Sequence, residues 1–236
     1  MIHQHILAAP RPGMPEAEFQ DYWRYVHALQ YAAKIPQIRK YKVDARLNVG
    51  FQPQELAYGG VAELWIDDEK AQAASLQTPE FLQGAKLDEP RWAASWQTVV
   101  LDTEPHELVA GEPSDRDVPE YKLLLFMKRS RELPREEFIS EYFGSFSDKL
   151  SCIPLLAGAL GCLIRDRFYA EGKEPPFDAV THLRAESMLS LKAMLAQPEL
   201  SSVLNPHEQT LTDPWGLVTL AVRSEWIVGP EARPYP

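Results

Sequence analysis

The sequence contains a weak internal duplication, and two copies of one unit limit the possible folds more than any single motif does. Residues 15–36 (PEAEFQDYWRYVHALQYAAKIP) resemble residues 134–154 (PREEFISEYFGSFSDKLSCIP). Both segments begin with Pro and acidic residues, place Phe at the same position and end with Ile-Pro. Residues 61–81 match residues 180–200 at the same offset of 119 residues. Repeats of this kind predict two structurally similar halves.

Each half predicts the same order of elements: a strand, a helix, two strands, a short helix and a last strand. The hydrophobic patterns place strands at 2–8, 40–46, 61–66 and 97–102 in the first half, and at 121–127, 162–168, 179–184 and 217–222 in the second. Long helices are expected at 15–33 and 134–150, each with Pro in its first turn and carboxylates near its N-terminus. Pro79 and Pro198 are expected to end the short helices.

This order is typical of a ferredoxin-like α+β sandwich, in which helices cover one face of an antiparallel sheet. The other face needs a cover, and a second copy in the same chain can provide it. We therefore expect two tandem ferredoxin-like units that form an intramolecular barrel, with their sheets packed face to face. The expected boundaries are 1–103 for the first unit, 104–119 for an acidic, Pro-containing linker and 120–236 for the second unit.

The composition narrows the class of partner. Thirty-four acidic residues against 24 basic ones give a net charge of −10, which argues against nucleic acids and anionic membranes. The chain lacks a run of about 18 apolar residues, and its first residues do not resemble a signal peptide. Its two cysteines lack a metal-type spacing, which is typical of reduced thiols. We expect a cytoplasmic protein, either a monomer with an internal barrel or a homodimer, that binds a small hydrophobic molecule.

Residues 18–41 (EFQDYWRYVHALQYAAKIPQIRKY) resemble the EthD domain, a branch of the dimeric α/β-barrel superfamily. The family shows a Phe, an aromatic pair, a His, a Pro and then a Tyr, all of which are present here. The segment 59–68 (GGVAELWIDD) adds to the resemblance, which covers nearly all of 1–102 and, more loosely, 121–228. The second copy has Phe146 where the first has His27.

His27 falls at the edge of the apolar stripe of its helix, which also contains Trp23. The spacing alone leaves two interpretations open: a boundary histidine bound to a backbone carbonyl, or a catalytic group. The resemblance implies the second, with His27 as general base or acid and Tyr41 as a hydrogen-bond donor in the same pocket. A neutral imidazole suits proton transfer beside a carbonyl near pH 7.

Further candidates lie on strands and in one loop. His5 shares a strand face with His3, and a plant cyclase of the barrel superfamily is similar in placing a histidine on this strand, so His5 is a second catalytic candidate. The residues predicted to bind substrate are Trp23, Glu63, Trp65, Phe51 and His182. Glu63 and His182 occupy equivalent positions in the repeat, and a structural polar network between the halves is the alternative. The loop 47–60, which contains Phe51, is expected to act as a lid over the pocket.

Metal-binding and cofactor-binding motifs are absent from the sequence: it contains no H-E-x-x-H, no zinc-type Cys/His cluster, no G-x-G-x-x-G after a strand and no P-loop. We therefore expect neither a metal nor a cofactor. The resemblance and the candidate residues favour a cofactor-independent small-molecule enzyme of the cyclase, isomerase or decarboxylase type, acting on a hydrophobic oxygenated substrate such as a polyketide or lactone. The alternatives are a cofactor-free oxygenase of anthrone-type substrates and a non-catalytic small-molecule-binding accessory protein.

Overall fold

The computed structural model describes residues 1–50, 57–112, 115–205 and 211–234. Eight strands of this part of the chain form one closed barrel. They are β1 (Ile2–Ala8), β2 (Lys40–Arg46), β3 (Gly60–Ile66), β4 (Val99–Val109), β5 (Glu120–Arg129), β6 (Gly158–Ile164), β7 (Ala179–Ala185) and β8 (Thr212–Val228). All neighbouring strands are antiparallel. The predicted α+β class and the intramolecular barrel are confirmed.

The order of strands around the barrel, β1-β3-β2-β8-β5-β7-β6-β4, shows how the halves are joined. β4 belongs to the first half but pairs with both β1 and β6, and β8 of the second half pairs with both β5 and β2. The two sheets are therefore hydrogen-bonded to each other along both edges in addition to facing each other across the interior. Closure of this kind leaves no unpaired sheet edge in the barrel.

Strand β4 continues to Val109, so the first part of the predicted linker over 104–119 is a strand. The strand extends because β6 supplies hydrogen-bonding partners for Thr103 to Val109. Residues 110–119 connect β4 with β5. The boundaries of the two units otherwise remain a prediction.

Strand β6 lies four residues before the predicted position of 162–168. Two glycines explain the difference, because they fit where a side chain cannot. A Cβ on Gly161 would lie 2.7 Å from the hydroxyl of Tyr142, and Gly158 has a positive φ of 149° where it approaches Gly111. After Ile164 the chain forms a 3-10 helix at Asp166–Gly172.

Helices cover the outside of the barrel. They are α1 (Glu16–Tyr22, continuing as a π-helix over Trp23–Tyr31 and a 3-10 turn over Ala32–Lys34), α2 (Glu69–Ser75), α3 (π-helical Glu80–Ala85, then Lys86–Asp88 and 3-10 Glu89–Arg91), α4 (Arg135–Glu141, π-helical Tyr142–Phe146, then Ser147–Ser151), α5 (Met188–Leu195) and α6 (Pro198–Leu204). A further 3-10 helix spans Ser95–Gln97. None of these helices is long and apolar enough to cross a membrane, among the residues described.

Two prolines that were predicted to end helices lie at the start of further helices. Pro79 and Pro198 were expected to stop the short helices, but each begins a further helix, α3 or α6. Proline is favourable in a first helical turn because its missing N–H has no partner there in any helix. The consequence for the site is large, because α3 carries side chains that face α1.

The π-helical part of α1 changes which residues are buried. A π-helix winds more residues into each turn than an α-helix does, so positions beyond Trp23 no longer follow the α-helical wheel. His27, predicted at the half-exposed edge of the apolar stripe, is only 6% exposed. Departures of this kind from regular helix often occur at functional sites.

Two hydrophobic layers and the barrel interior form the core. In the first half α1 and α3 pack on the outer face of the sheet, with Phe19, Trp23 and Trp92 in edge-on or tilted contact. In the second half Phe138, Tyr142 and Phe146 occupy the equivalent layer as a stack. Inside the barrel, apolar side chains such as Leu7, Val61, Leu124 and Phe126 fill one part, and polar side chains fill the other.

We expect a fragment comprising residues 1–110 to self-associate. Without the second half, β4 loses β6 and β2 loses β8, so two strand edges and the inner face of the sheet become exposed. Size-exclusion chromatography with light scattering, run beside the full-length chain, measures this directly. A soluble monomeric fragment with native-like circular dichroism would contradict the expectation.

Candidate active site

A cavity of about 560 Å³ lies between the helices of the first half and the outer face of its sheet. Its wall is mainly apolar and includes alternate residues of β1 and β3 and one residue of β2, together with side chains from α1 and α3. His27, Tyr41 and Trp23 all line it, as the sequence analysis predicted for one pocket. The volume falls in the range of small-molecule sites.

His27 is held in this wall by Asp88 of α3. The Nδ1 of His27 lies 2.9 Å from Asp88 Oδ2, and the second carboxylate oxygen accepts a hydrogen bond of 2.8 Å from the hydroxyl of Tyr22. Trp92 packs against the imidazole, with 4.6 Å between the ring centroids. The carboxylate fixes the tautomer, because it can only accept a hydrogen bond from an N–H at Nδ1.

This arrangement leaves Nε2 of His27 with its lone pair and, among the described residues, without a hydrogen bond. Burial lowers the pKa of His27, and the Asp88 carboxylate offsets part of that effect. The imidazole is therefore neutral at pH 7. A neutral imidazole with an oriented Nδ1–H and an unused Nε2 is the form required of a general base.

Tyr41 is a hydrogen-bond donor in the same wall. Its hydroxyl oxygen accepts a hydrogen bond of 3.3 Å from Trp23 Nε1, so the hydroxyl proton is left for another partner. Burial raises the pKa of Tyr41, so the phenol stays protonated. The side chain can therefore donate a hydrogen bond to a ligand oxygen in the cavity.

A second polar group in the cavity wall is centred on Asp102 of β4. Its carboxylate accepts hydrogen bonds from Gln4 Nε2 at 2.7 Å and from Gln72 Nε2 at 2.9 Å, and it forms an ion pair with Arg167. Arg167 belongs to the second half, and it also donates to Gln72 Oε1 at 2.7 Å. The second half thus contributes a charged side chain to the cavity of the first.

The other predicted site residues lie on the opposite face of the sheet. His5, Glu63, Trp65 and His182 point into the barrel, because successive side chains of a strand point to opposite faces. The sequence analysis grouped them with His27 and Tyr41 as one set. The structure divides them into two sets: one lines the first-half cavity, the other lies inside the barrel, and the sheet separates them.

Contacts within the barrel link both halves. His3 Nε2 lies 2.8 Å from Glu63 Oε2, and His5 Nε2 lies 2.9 Å from His182 Nε2. The ring of Trp65 stacks on that of His3 at 4.2 Å. Glu63 and His182 therefore reach one interior, as their equivalent positions in the repeat predicted. The network fixes side chains of the first half against the second.

Phe51 and the middle of the predicted lid, residues 51–56, lie outside the described residues. The described ends of the loop pack against the hydrophobic core. Leu47 and Val49 pack against the outer core of the second half, and Tyr58 packs against the barrel interior.

The sequence analysis did not identify Asp88, Trp92, Asp102 or Arg167. Asp88 and Trp92 follow Pro79, where no further helix was expected, so their proximity to His27 was not visible. Asp102 is an acidic residue at the end of a predicted strand, and it is buried in the structure. An acid in that position could have indicated a polar site. Arg167 reaches the cavity only because β4 joins the two halves.

Comparisons with known proteins agree with this architecture. The EthD domain family model matches residues 11–95. No curated protein matches the chain. An anthrone oxidase-like protein of known structure is 11% identical, with a TM-score of 0.63, over 98% of this chain and 96% of that one. A candidate monooxygenase from Fusobacterium nucleatum is 7% identical, with a TM-score of 0.60, over 100% and 95%.

A candidate chlorite dismutase is 8% identical, with a TM-score of 0.52, over 95% of each chain. At such identities these likenesses concern the fold. Residues 11–95 match the EthD domain family model, and the chain as a whole shares its fold with these solved structures.

Proposed function

We propose that the protein is a small-molecule enzyme that needs no cofactor for proton transfer and acts on a hydrophobic oxygenated substrate such as a polyketide or lactone. The reaction is of the cyclase, isomerase or decarboxylase type and takes place in the cavity of the first half. The observation that carries the proposal is the buried His27–Asp88 pair in the wall of an apolar cavity of about 560 Å³. A buried histidine with a lowered pKa, held by a carboxylate in the wall of an apolar cavity, is the arrangement expected of an active site.

His27 acts as the base in this proposal. Its Nε2 removes a proton from a carbon next to a carbonyl group, and Asp88 stabilises the imidazolium that forms. Tyr41 donates a hydrogen bond to the carbonyl oxygen as it becomes an enolate oxygen. The proton on His27 then returns to a carbon or oxygen atom of the product. The walls formed by Trp23 and Trp92 exclude water from the enolate.

Cyclisation and isomerisation begin with this enolate, and decarboxylation passes through it when carbon dioxide leaves. In the decarboxylation case Nε2 of His27 first takes the proton of the substrate's carboxylic acid and returns it to the carbon atom that loses carbon dioxide. In the second half, Phe146 occupies the position that corresponds to His27, so that position carries no base. One reactive cavity in each chain is therefore expected.

The second candidate is a cofactor-free oxygenase, in which dioxygen oxidises the same carbanion. The names of two structural neighbours, an anthrone oxidase-like protein and a candidate monooxygenase, favour it through the shared fold. The cyclase, the isomerase and the oxygenase all begin with removal of a carbon-bound proton by His27. An oxygen electrode separates them, because only the oxygenase consumes dioxygen.

The first step is tested by proton exchange. The full-length protein is incubated in D2O with a panel of hydrophobic 1,3-diketones, lactones and anthrones, and deuterium at carbon is measured by NMR. We expect faster exchange with the wild-type protein than with H27Q for at least one class of compound. A compound that binds in the cavity without exchange or turnover would favour the non-catalytic accessory protein and contradict the proposal.

Replacement of Tyr41 by phenylalanine should reduce kcat about 5- to 10-fold, because the loss of one hydrogen bond costs roughly 1 kcal/mol. The change removes only a hydroxyl group, so the cavity keeps its shape. Tyr25→Phe is the matched control, because Tyr25 is exposed. An unchanged kcat in Tyr41→Phe would remove this hydroxyl from the mechanism.

A further inference from the structure

The barrel interior contains a cluster of potential metal ligands that the proposed reaction does not use. His5, Glu63 and His182 each place one ligand atom within 4.8 Å of the others, and so do His3, His5 and Cys162. All of these side chains are buried. His5 belongs to the first half and His182 to the second, so the cluster bridges the duplication.

One part of the cluster is satisfied by its own hydrogen bonds. Burial raises the pKa of the Cys162 thiol, so the sulfur keeps its proton and faces His3 Nδ1 at 3.6 Å. With its Nδ1 accepting, His3 donates from Nε2 to Glu63 Oε2 at 2.8 Å. Lys122 donates to the other oxygen of Glu63. Neither His3 nor Cys162 requires an ion.

The other part of the cluster is the pair of imidazoles of His5 and His182. The hydroxyl of Thr103 donates to the backbone oxygen of His3 at 2.7 Å, so it can only accept in its 3.5 Å contact with His5 Nδ1. His5 therefore carries its proton on Nδ1 and a lone pair on Nε2. The carboxylate of Glu63 lies 3.8 Å from Nδ1 of His182, so it faces the second imidazole as well.

The Nε2 atoms of His5 and His182 lie 2.9 Å apart, so His182 can donate its Nε2–H to the lone pair of His5 when no ion is bound. When a cation binds, the proton of His182 can move to Nδ1, so that both Nε2 atoms offer lone pairs to the ion and both Nδ1–H groups face oxygen atoms. Metal-bound histidines have this pattern, with one nitrogen directed to the ion and the other N–H directed to an oxygen atom.

The geometry fits a first-row transition metal. With metal–nitrogen distances of about 2.0–2.1 Å, two nitrogens 2.9 Å apart subtend an angle of about 90° at the ion. This is the angle between neighbouring ligands in six-coordinate sites, and two imidazoles with one carboxylate are a familiar ligand set for such ions. Glu63 and His182 also line a cavity of about 220 Å³, which gives an ion a route to the site.

The surrounding charges are compatible with a cation. Lys122 is 3.1 Å from Asp44 Oδ1, contacts Glu63 and lies 3.9 Å from Glu120, while Lys42 is 2.6 Å from Glu120. Three carboxylates therefore surround two ammonium groups. Arg184 approaches Glu120 at 3.9 Å from the more exposed side.

We propose that His5 and His182, through their Nε2 atoms, and Glu63 bind one divalent first-row transition-metal ion that links the two halves inside the barrel. The ion lies on the opposite face of the sheet from His27. Its role is structural, and the proposal is independent of the reaction in the first-half cavity.

Metal retention by the full-length chain tests the proposal. The protein is treated with a chelator, reloaded with Zn²⁺ or Co²⁺, desalted and analysed for metal. We expect about one ion per chain for the wild type, and a rise in Tm of about 5–10 °C when the free ion is about 100-fold above its Kd. H5Q and H182Q should each lose the ion and the Tm shift. H106Q, at a half-buried histidine outside the cluster, and H27Q should keep both.

A second measurement does not depend on the variants remaining folded. X-ray absorption of the Co²⁺-loaded wild type should show scattering from two imidazole rings. A wild type that neither retains nor is stabilised by either ion, a spectrum without imidazole scattering, or folded H5Q and H182Q that keep the ion would each overturn the proposal. None of these results would alter the deuterium-exchange test, which examines the other cavity.

Discussion

Replacement of His27 by glutamine should lower kcat/KM by about 10²–10⁴, the usual contribution of a general base. Glutamine keeps the approximate size and one hydrogen bond to Asp88 but cannot accept a proton at neutral pH. The fold should be unchanged, because the neighbouring Trp92 and Asp88 keep their places on α3. The measurement is steady-state kinetics on a substrate found by deuterium exchange, with circular dichroism as the check of folding.

Two comparisons connect this loss with base chemistry. Asp88→Asn should also lower kcat, because the amide can present its NH2 group to Nδ1 and select the wrong tautomer of His27. The pH profile of the wild type should show a limb below pH 6.5, because the base must be unprotonated and burial lowers its pKa. A profile that is flat down to pH 5, with H27Q as active as the wild type, would contradict the assignment.

Replacement of Lys122 by methionine should destabilise the protein by about 3–5 kcal/mol, the cost of breaking a buried ion pair by removing one partner. The Lys122 side chain is 2% exposed and its ammonium contacts Asp44 and Glu63, both of which are buried. In a chain of this length the corresponding decrease in Tm is about 6–20 °C. Thermal unfolding followed by circular dichroism measures it.

The exposed Lys149 on α4 provides the matched control, and Lys149→Met should change stability by no more than about 0.5 kcal/mol. A Lys122→Met protein as stable as the wild type would show that the barrel interior rearranges without this charge.

The loss of stability caused by Lys122→Met should depend on pH. Loss of the ammonium raises the folded-state pKa of Glu63 and Asp44, and burial together with the Glu63 carboxylate already raises the pKa of Asp44 to about 7. The folded variant therefore binds more protons than the unfolded chain above pH 4, so its stability falls as pH rises. We expect a larger deficit at pH 8 than at pH 5, and the reverse order would contradict this account.

Much of the fold could be predicted because the duplication and the strand alternation act together. The predicted ranges 2–8 and 40–46 coincide with β1 and β2, and the predicted order of strands and helices holds except for the additional helices α3 and α6. The extension of β4 to Val109 could not be predicted, because its partner β6 lies about 50 residues away and only the closed barrel brings it near. The shift of β6 depends on the close approach of Tyr142 to Gly161, which is a tertiary contact.

The candidate site was only partly predictable for a similar reason. The motif of the EthD domain indicated His27, Tyr41 and Trp23, and all three line one cavity. Asp88 has no fixed spacing to His27, because the connection passes through two strands and two helices. Alternation along β3 places Glu63 and Trp65 inward and Leu64 outward, but a sequence does not state which face of a sheet borders the reactive cavity.

The most direct test of the account compares the two faces of the sheet. H27Q and H5Q are assayed side by side on the same substrate, with the rate referred to the folded fraction of each variant. We expect H27Q to lose activity by about 10²–10⁴ and folded H5Q to keep the wild-type rate. A fully active H27Q beside an inactive, folded H5Q would place the reaction inside the barrel and contradict the assignment of the first-half cavity as the active site.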